Sequence, residues 1–235
     1  MLEQMLDIEH YAFLFLNSAH SPFWDAFMYL ISTKWSWTCV IIAFVTYLFY
    51  RKPFKEGMLV VIFILLCILV CDQLSSGIAK PYFTRFRPTH HPEYENIVKT
   101  VYGYRGYLYG FFSGHASNFF SVAMLTALIV RDKWYSIIVF SLASLVAYSR
   151  IYLGVHFISD ILVGVVVGLI VGFLLYKLYR WVRLKWVSPK GPKETNRIFR
   201  IALPFWKWSI VGFIMIMLSV SAQVREIVNA VSKLN

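Results

Sequence analysis

His156 and Asp160 stand four residues apart in the stretch Ser149-Arg150-Ile151-Tyr152-Leu153-Gly154-Val155-His156-Phe157-Ile158-Ser159-Asp160, between two very apolar segments. On a helix that spacing puts both side chains on one face, where they can touch. An imidazole held by a carboxylate is an activated nucleophile or a proton shuttle. The pair can equally be a structural hydrogen bond or two metal ligands. Metal binding lacks a third and fourth protein ligand of the right type, and the lysines and arginines nearby repel a cation. No metal and no cofactor are therefore expected.

Two more polar clusters lie at similar boundaries. Phe112-Ser113-Gly114-His115 opens an apolar segment. Free amides at a helix start attract anions, Ser113 adds a hydroxyl, and Gly114 lets a ligand approach the backbone. His115 can give or take a proton there; the plainer alternative is an N-cap beside an interfacial histidine. Lys80-Pro81-Tyr82-Phe83-Thr84-Arg85-Phe86-Arg87-Pro88 closes another segment. Lys80 and Arg87, with Arg150, suit phosphate oxygens, although basic residues at a helix end also serve as snorkelling anchors. Asp72 and Ser76 precede Lys80 in steps of four. They read as structural support beneath it, because an aspartate inside a span needs a partner or water.

The segments that must hold these clusters are those of a membrane protein. The chain has 235 residues, is 59% hydrophobic and carries a formal net charge of +11; its mean hydropathy is +0.62. Soluble domains are roughly 45–50% apolar. Six spans are expected: Trp35–Tyr50, which the turns from Phe23 to Thr33 can extend, then Gly57–Gly77, His115–Val130, Trp134–Tyr148, Phe157–Tyr179 and Phe205–Val224. Ahead of them, Met1–Asn17 reads as an amphipathic interfacial helix whose apolar face Glu9 interrupts. Ser21-Pro22 starts the next helix as N-cap and first residue. The assignment is an all-α, six-helix membrane bundle. Residues 1–20 form the interfacial helix, 21–225 the membrane domain with its motifs at 80–160, and 226–235 a tail.

Basic residues lie between the spans, at Arg51–Lys55, Arg131–Lys133 and Arg180–Arg200. The positive-inside rule makes these cytoplasmic and brings all three polar clusters to the outer face. The charge therefore reads as topology rather than nucleic-acid binding. Pro189 and Pro192 are expected to keep the last basic linker from forming regular helix. Arg85, His90, His91 and Arg105 read as solvated loop residues, and His10 and His20 as solvated or interfacial. Tyr102, Tyr104, Tyr107 and Tyr109 read as an aromatic belt. Cys39, Cys67 and Cys71 form no disulfide or zinc pattern, and Glu3, Asp7 and Glu9 argue against a signal peptide. Gly164, Gly168 and Gly172 allow close helix packing within the monomer.

In chain order the clusters read Lys-x6-Arg-Pro, Ser-Gly-His and Ser-Arg-x5-His-x3-Asp. This combination resembles the phosphatidic-acid phosphatase type-two family, which shares its site with the vanadium haloperoxidases. One departure is Phe112, where the family usually has proline. The resemblance implies that His156 is a nucleophile forming a phosphohistidine and that Asp160 orients its ring. It implies that His115 protonates the leaving oxygen and then activates water. Lys80, Arg87, Ser113, the Gly114 amide and Arg150 would hold the phosphoryl oxygens. The expected protein is a metal-independent lipid phosphatase of a bacterial inner membrane, acting on a lipid phosphate at the periplasmic leaflet. Lipid A is the leading substrate. Undecaprenyl diphosphate, phosphatidylglycerol phosphate and phosphatidate are alternatives, and a transporter or phospholipid-binding protein is the non-enzyme alternative.

Overall fold

The computed structural model describes residues 2–188 and 192–232; the side chains of 2–7, 192–194, 196 and 227–232 lie outside the description. The side chains of Leu2, Met5 and Leu6, expected on the apolar face of the first helix, and of Glu3 and Asp7, expected on its polar face, are among those left outside, as is the whole of Pro189. The described chain is helical, with one isolated antiparallel bridge between Phe86 and Tyr109.

Helix α1 (Leu2–Asn17) packs on later helices, with Phe13 fully buried. Asn17 ends it by donating to the carbonyls of Tyr152 at 2.8 Å, Ile151 at 3.3 Å and Lys99 at 3.1 Å. Helix α2 (Pro22–Ser32) begins as the sequence predicts: Ser21 caps the Trp24 amide and Pro22 is the first residue. The expected continuation into the next helix is not straight. Thr33 is extended, a short 3-10 turn spans Lys34–Trp37, and α3 (Thr38–Phe49) leaves at 71° to α2. Trp37 holds the break by donating to Ile31 O at 3.0 Å.

Helix α4 (Phe54–Asp72) continues through a π-helical stretch, Gln73–Ala79, into α5 (Lys80–Phe83). The whole Phe54–Phe83 unit has 30 residues. At about 1.5 Å per residue it exceeds the roughly 30 Å of a hydrocarbon core, so Lys80 near its end reaches polar surroundings. Helix α6 (Gly114–Val130) is shorter, with 17 residues. Helix α7 runs Lys133–Tyr152, which puts Ser149 and Arg150 in its last turn rather than in a loop. Helix α8 (Ile158–Val182) is followed by a π-helical turn, Arg183–Val187. The basic linker does contain a helix, α9 (Pro192–Arg200). Proline is compatible with the first helical position because no intrahelical partner awaits its missing N–H. Helix α10 (Leu203–Ser232) carries helix past residue 226 and packs on α2 and α3.

Among the described residues, four helices are long and apolar enough to cross a membrane: Phe54–Phe83, Lys133–Tyr152, Ile158–Val187 and Leu203–Glu226. The sequence-based six adds the bent α2–α3 pair and the shorter α6, each as one crossing.

The centre is the α6–α8 pair. Gly164, Gly168 and Gly172 lie against the backbone of Ser113, Ser117 and Ser121, so this stripe serves packing within the monomer. A Cβ on Gly168 would stand 2.5 Å from Ser117 O, where only backbone could yield. Close packing here fixes the start of α6 against the start of α8. Gly168→Ala is therefore expected to destabilise the protein by about 1–3 kcal/mol. Gly212→Ala, with nothing within 4 Å of its new methyl, is expected to change little. Thermal unfolding midpoints in detergent check this; equal midpoints would contradict it.

Candidate active site

The α7–α8 turn is built to deliver His156. Gly154 has φ +72°, and a Cβ there would stand 2.4 Å from Val98 Cγ1, so the turn needs glycine. Phe157 then caps α8, and Asp160 reaches back from the third helical position to accept from the Phe157 amide at 3.0 Å. His156 is 2% exposed and Asp160 0%. A buried carboxylate needs partners at both oxygens. Asp160 Oδ2 also faces His156 Nδ1 at 3.4 Å, and Oδ1 accepts from Arg85 Nη1 at 2.9 Å.

Arg87 fixes which imidazole nitrogen carries the proton. Its Nη1 lies 3.2 Å from His156 Nε2. A guanidinium only donates, so Nε2 presents its lone pair and Nδ1–H turns towards Asp160. Arg87 is itself held by Val155 O and Tyr109 O, each at 3.1 Å. Burial depresses the His156 pKa well below 6.5, and the charges of Arg87, Arg150 and Lys80 add to the effect. The imidazole is therefore neutral at neutral pH, as a nucleophile must be. Burial, with Arg150 beside it, also lowers the Arg87 pKa to about 10, which leaves it charged.

Arg150 is 2% exposed. It donates to Tyr104 OH at 3.0 Å and to Ser32 Oγ, and its Nε has no partner among the described residues. Lys80 Nζ donates to Ser76 Oγ at 3.0 Å and lies within electrostatic reach of Arg87, Asp72, Arg150 and Asp160. Asp72 accepts from Asn118 Nδ2 at 2.9 Å. Ser76 and Asp72 thus tie the end of the α4 unit to Lys80 and to α6.

At the start of α6, Ser113 is fully buried. Its amide donates to Asp160 O at 3.0 Å and its hydroxyl caps the Ala116 amide. The Gly114 and His115 amides make no hydrogen bond among the described residues. They leave the anion-attracting helix end open. His115 lies within electrostatic reach of Arg150, His156 and Arg87. The carbonyl of Phe112, the residue in place of the family's usual proline, accepts from Ser75 Oγ at 2.9 Å.

The structure thus brings the sequence-predicted Lys80, Arg87, Ser113, Gly114, His115, Arg150, His156 and Asp160 to one end of the bundle. Arg85 is a correction. It is not a solvated loop residue: it bonds Asp160, Ser159 Oγ at 2.6 Å and Glu9 Oε2 at 3.0 Å. Glu9, the break in the apolar face of α1, also accepts from the Ser159 amide at 2.6 Å. Tyr104 is Arg150's partner rather than a belt residue. His10 and His20 are bonded to Tyr94 OH and Asp25 rather than solvated.

A family model described as the PAP2 superfamily matches residues 58–184, more than half of the chain. The chain belongs to the PAP2 superfamily. It is 48% identical over 227 residues to the lipid A 4'-phosphatase of Porphyromonas gingivalis, covering 96% of each chain. It is 34% identical over 178 residues to the lipid A 4'-phosphatase of Bacteroides thetaiotaomicron, covering 75% of this chain and 79% of that protein. The crystal structure of Aquifex aeolicus LpxE superposes with a TM-score of 0.55 at 25% identity, covering 71% of this chain and 93% of that one. The PAP2-matched segment contains all three clusters and Arg85. Glu9 and Ser32, which hold Arg85 and Arg150, lie outside it.

Two outcomes follow for the PAP2 site. A charge-assisted hydrogen bond contributes about 1.5–3 kcal/mol, so Arg85→Gln is expected to lower kcat about 10- to 100-fold. Unchanged kcat would show that Asp160 needs no such partner. The depressed His156 pKa keeps its neutral form as pH falls through 6.5. The acid limb of kcat/KM, which reports the free enzyme, is expected below that value; a limb assigned to His156 above it would contradict the electrostatics.

Proposed function

We propose that this chain is a lipid A phosphatase that works through a phosphohistidine at His156. The observation that carries the reaction is the neutral, oriented imidazole: Nε2 lone pair towards Arg87, Nδ1–H towards Asp160. The 48% identity to a lipid A 4'-phosphatase carries the substrate.

Phosphoryl transfer asks for in-line positioning and neutralised equatorial oxygens. Lys80, Arg87, Arg150, Ser113 and the Gly114 amide supply that charge and those donors. The His156 Nε2 lone pair forms the N–P bond as the P–O bond to the lipid breaks. His115 gives its proton to the departing oxygen. It then takes a proton from water, whose oxygen attacks phosphorus; the N–P bond breaks and phosphate leaves. Asp160 holds the ring while it carries positive charge. Fixed dipoles and cations act strongly here because Arg87, Arg150, His156 and Asp160 are buried.

The reading extends to the setting. Residues 21–225 form the phosphatase domain with six crossings, and α1 is an accessory helix ahead of it. The basic turns face the cytoplasm, so the site opens at the periplasmic side of a bacterial inner membrane. A lipid reaches it sideways from the outer leaflet.

Phosphate release from lipid A by purified protein tests the reading. His156→Ala is expected to abolish release. His115→Ala is expected to lower kcat by about 10²- to 10⁴-fold, the range for general acid–base catalysis, with KM little changed. A His156→Ala protein as active as the parent would remove the mechanism.

A further inference from the structure

Next to the reacting groups lies a cavity of about 270 Å³. His115, Arg150 and Tyr104 line it together with Ser32, Lys34 and Trp35. Water occupies about 30 Å³ per molecule in the liquid, so the space suits more than a single phosphoryl group. The last three stand at the break between α2 and α3. Irregular backbone in a membrane bundle is tolerated where protein buries it or where it lines a water-filled cavity. Here Thr33, the extended residue at the break, lines this one.

Lys34 is exposed and makes no hydrogen bond or ion pair among the described residues. Its charge nevertheless reaches Tyr104 and His115. No carboxylate lines the cavity, so Lys34 and Arg150 make it attractive to anions. The scissile phosphoryl group already has Lys80, Arg87, Arg150 and the open end of α6. Lys34 lines the cavity from a separate element, the 3-10 turn after α2, and has a compact charge suited to a phosphate. The primed locant in the relatives' name, lipid A 4'-phosphatase, marks the second of two ring systems in their substrate's headgroup. Such a headgroup extends beyond the phosphate being removed.

We propose that Lys34 binds a second phosphate of the same glycolipid, on the headgroup that carries the scissile one. The assignment rests on the lipid A reading above. It makes the α2–α3 break a specificity element: the break sets a lysine, the first residue of the 3-10 turn, at the cavity that His115 and Arg150 also line. The adjoining Trp35, 85% exposed, supplies an aromatic face at the same rim.

The test compares lipid A carrying two phosphates with the same lipid carrying only the scissile one. The parent, Lys34→Gln and Lys34→Arg are assayed on both. Lys34→Gln is expected to raise KM for the two-phosphate lipid roughly tenfold, as loss of one charge-assisted contact would. Its kcat stays within about twofold, the pattern of lost uniform binding. Its KM for the one-phosphate lipid is unchanged, and Lys34→Arg behaves as the parent. An equal loss on both lipids would overturn the assignment by giving Lys34 to the scissile phosphate. No loss on either would overturn it as well. A parent inactive on both lipids would instead remove the lipid A reading, and the Lys34 assignment with it.

Discussion

A carboxylate with no exposure to water has to be answered at every lone pair, and at Asp160 the answers come from separate parts of the chain. Arg85 arrives from the loop after α5 at 2.9 Å, the Phe157 amide from the cap of α8 at 3.0 Å, and His156 from the α7–α8 turn at 3.4 Å. The Asp160 backbone carbonyl accepts from Ser113 at the head of α6. Glu9 reaches in from α1 to hold Arg85 and the next free amide of α8. Removing one partner of a buried ionic group costs far more than the pair contributes in net terms. That constraint ties α1, α5, α6, α7 and α8 to one point, and His156, the proposed nucleophile, stands beside it.

The rest of the site follows from surrounding that point with cations. Lys80, Arg87 and Arg150 sit in a bundle whose interior is apolar, and each is held by neutral oxygens: Ser76, backbone carbonyls, or Ser32 and Tyr104. Carboxylates would cancel their charge; hydroxyls and carbonyls orient them and leave the charge for an anion. The same field disfavours a protonated His156. Geometry and electrostatics therefore prepare one state, a neutral imidazole facing a phosphate-sized concentration of positive charge.

Much of this is legible in the sequence because polar residues at the ends of apolar runs are costly and stand out. His156, Asp160, His115, Lys80, Arg87 and Arg150 were identifiable that way, and charge alternation put them on one side. The glycine stripe from Gly164 to Gly172 and the Ser21-Pro22 start were also readable, since each rests on local spacing. What was not legible depends on contacts across long separations. Arg85 differs from a solvated loop arginine only by where Asp160 and Glu9 end up. Glu9 looked like a fault in an amphipathic pattern because its partner lies on α8. Ser75, Ser32 and Tyr104 are ordinary residues until Phe112 O and Arg150 are set against them. The break at Thr33 carries neither proline nor glycine, so no local signal marks it. Proline misled at Pro192, where the first helical position accepts it.

In the proposed mechanism His156 carries the phosphoryl group between lipid and water. Rapid mixing of His115→Ala protein with excess lipid A, an alkaline quench that preserves phosphohistidine, and peptide mass spectrometry test it directly. Phosphate is expected on His156, formed slowly because the proton donor to the leaving oxygen is gone and lost slowly because the same group activates water. Continued turnover with no phosphate on His156, or with phosphate on another side chain, would contradict it.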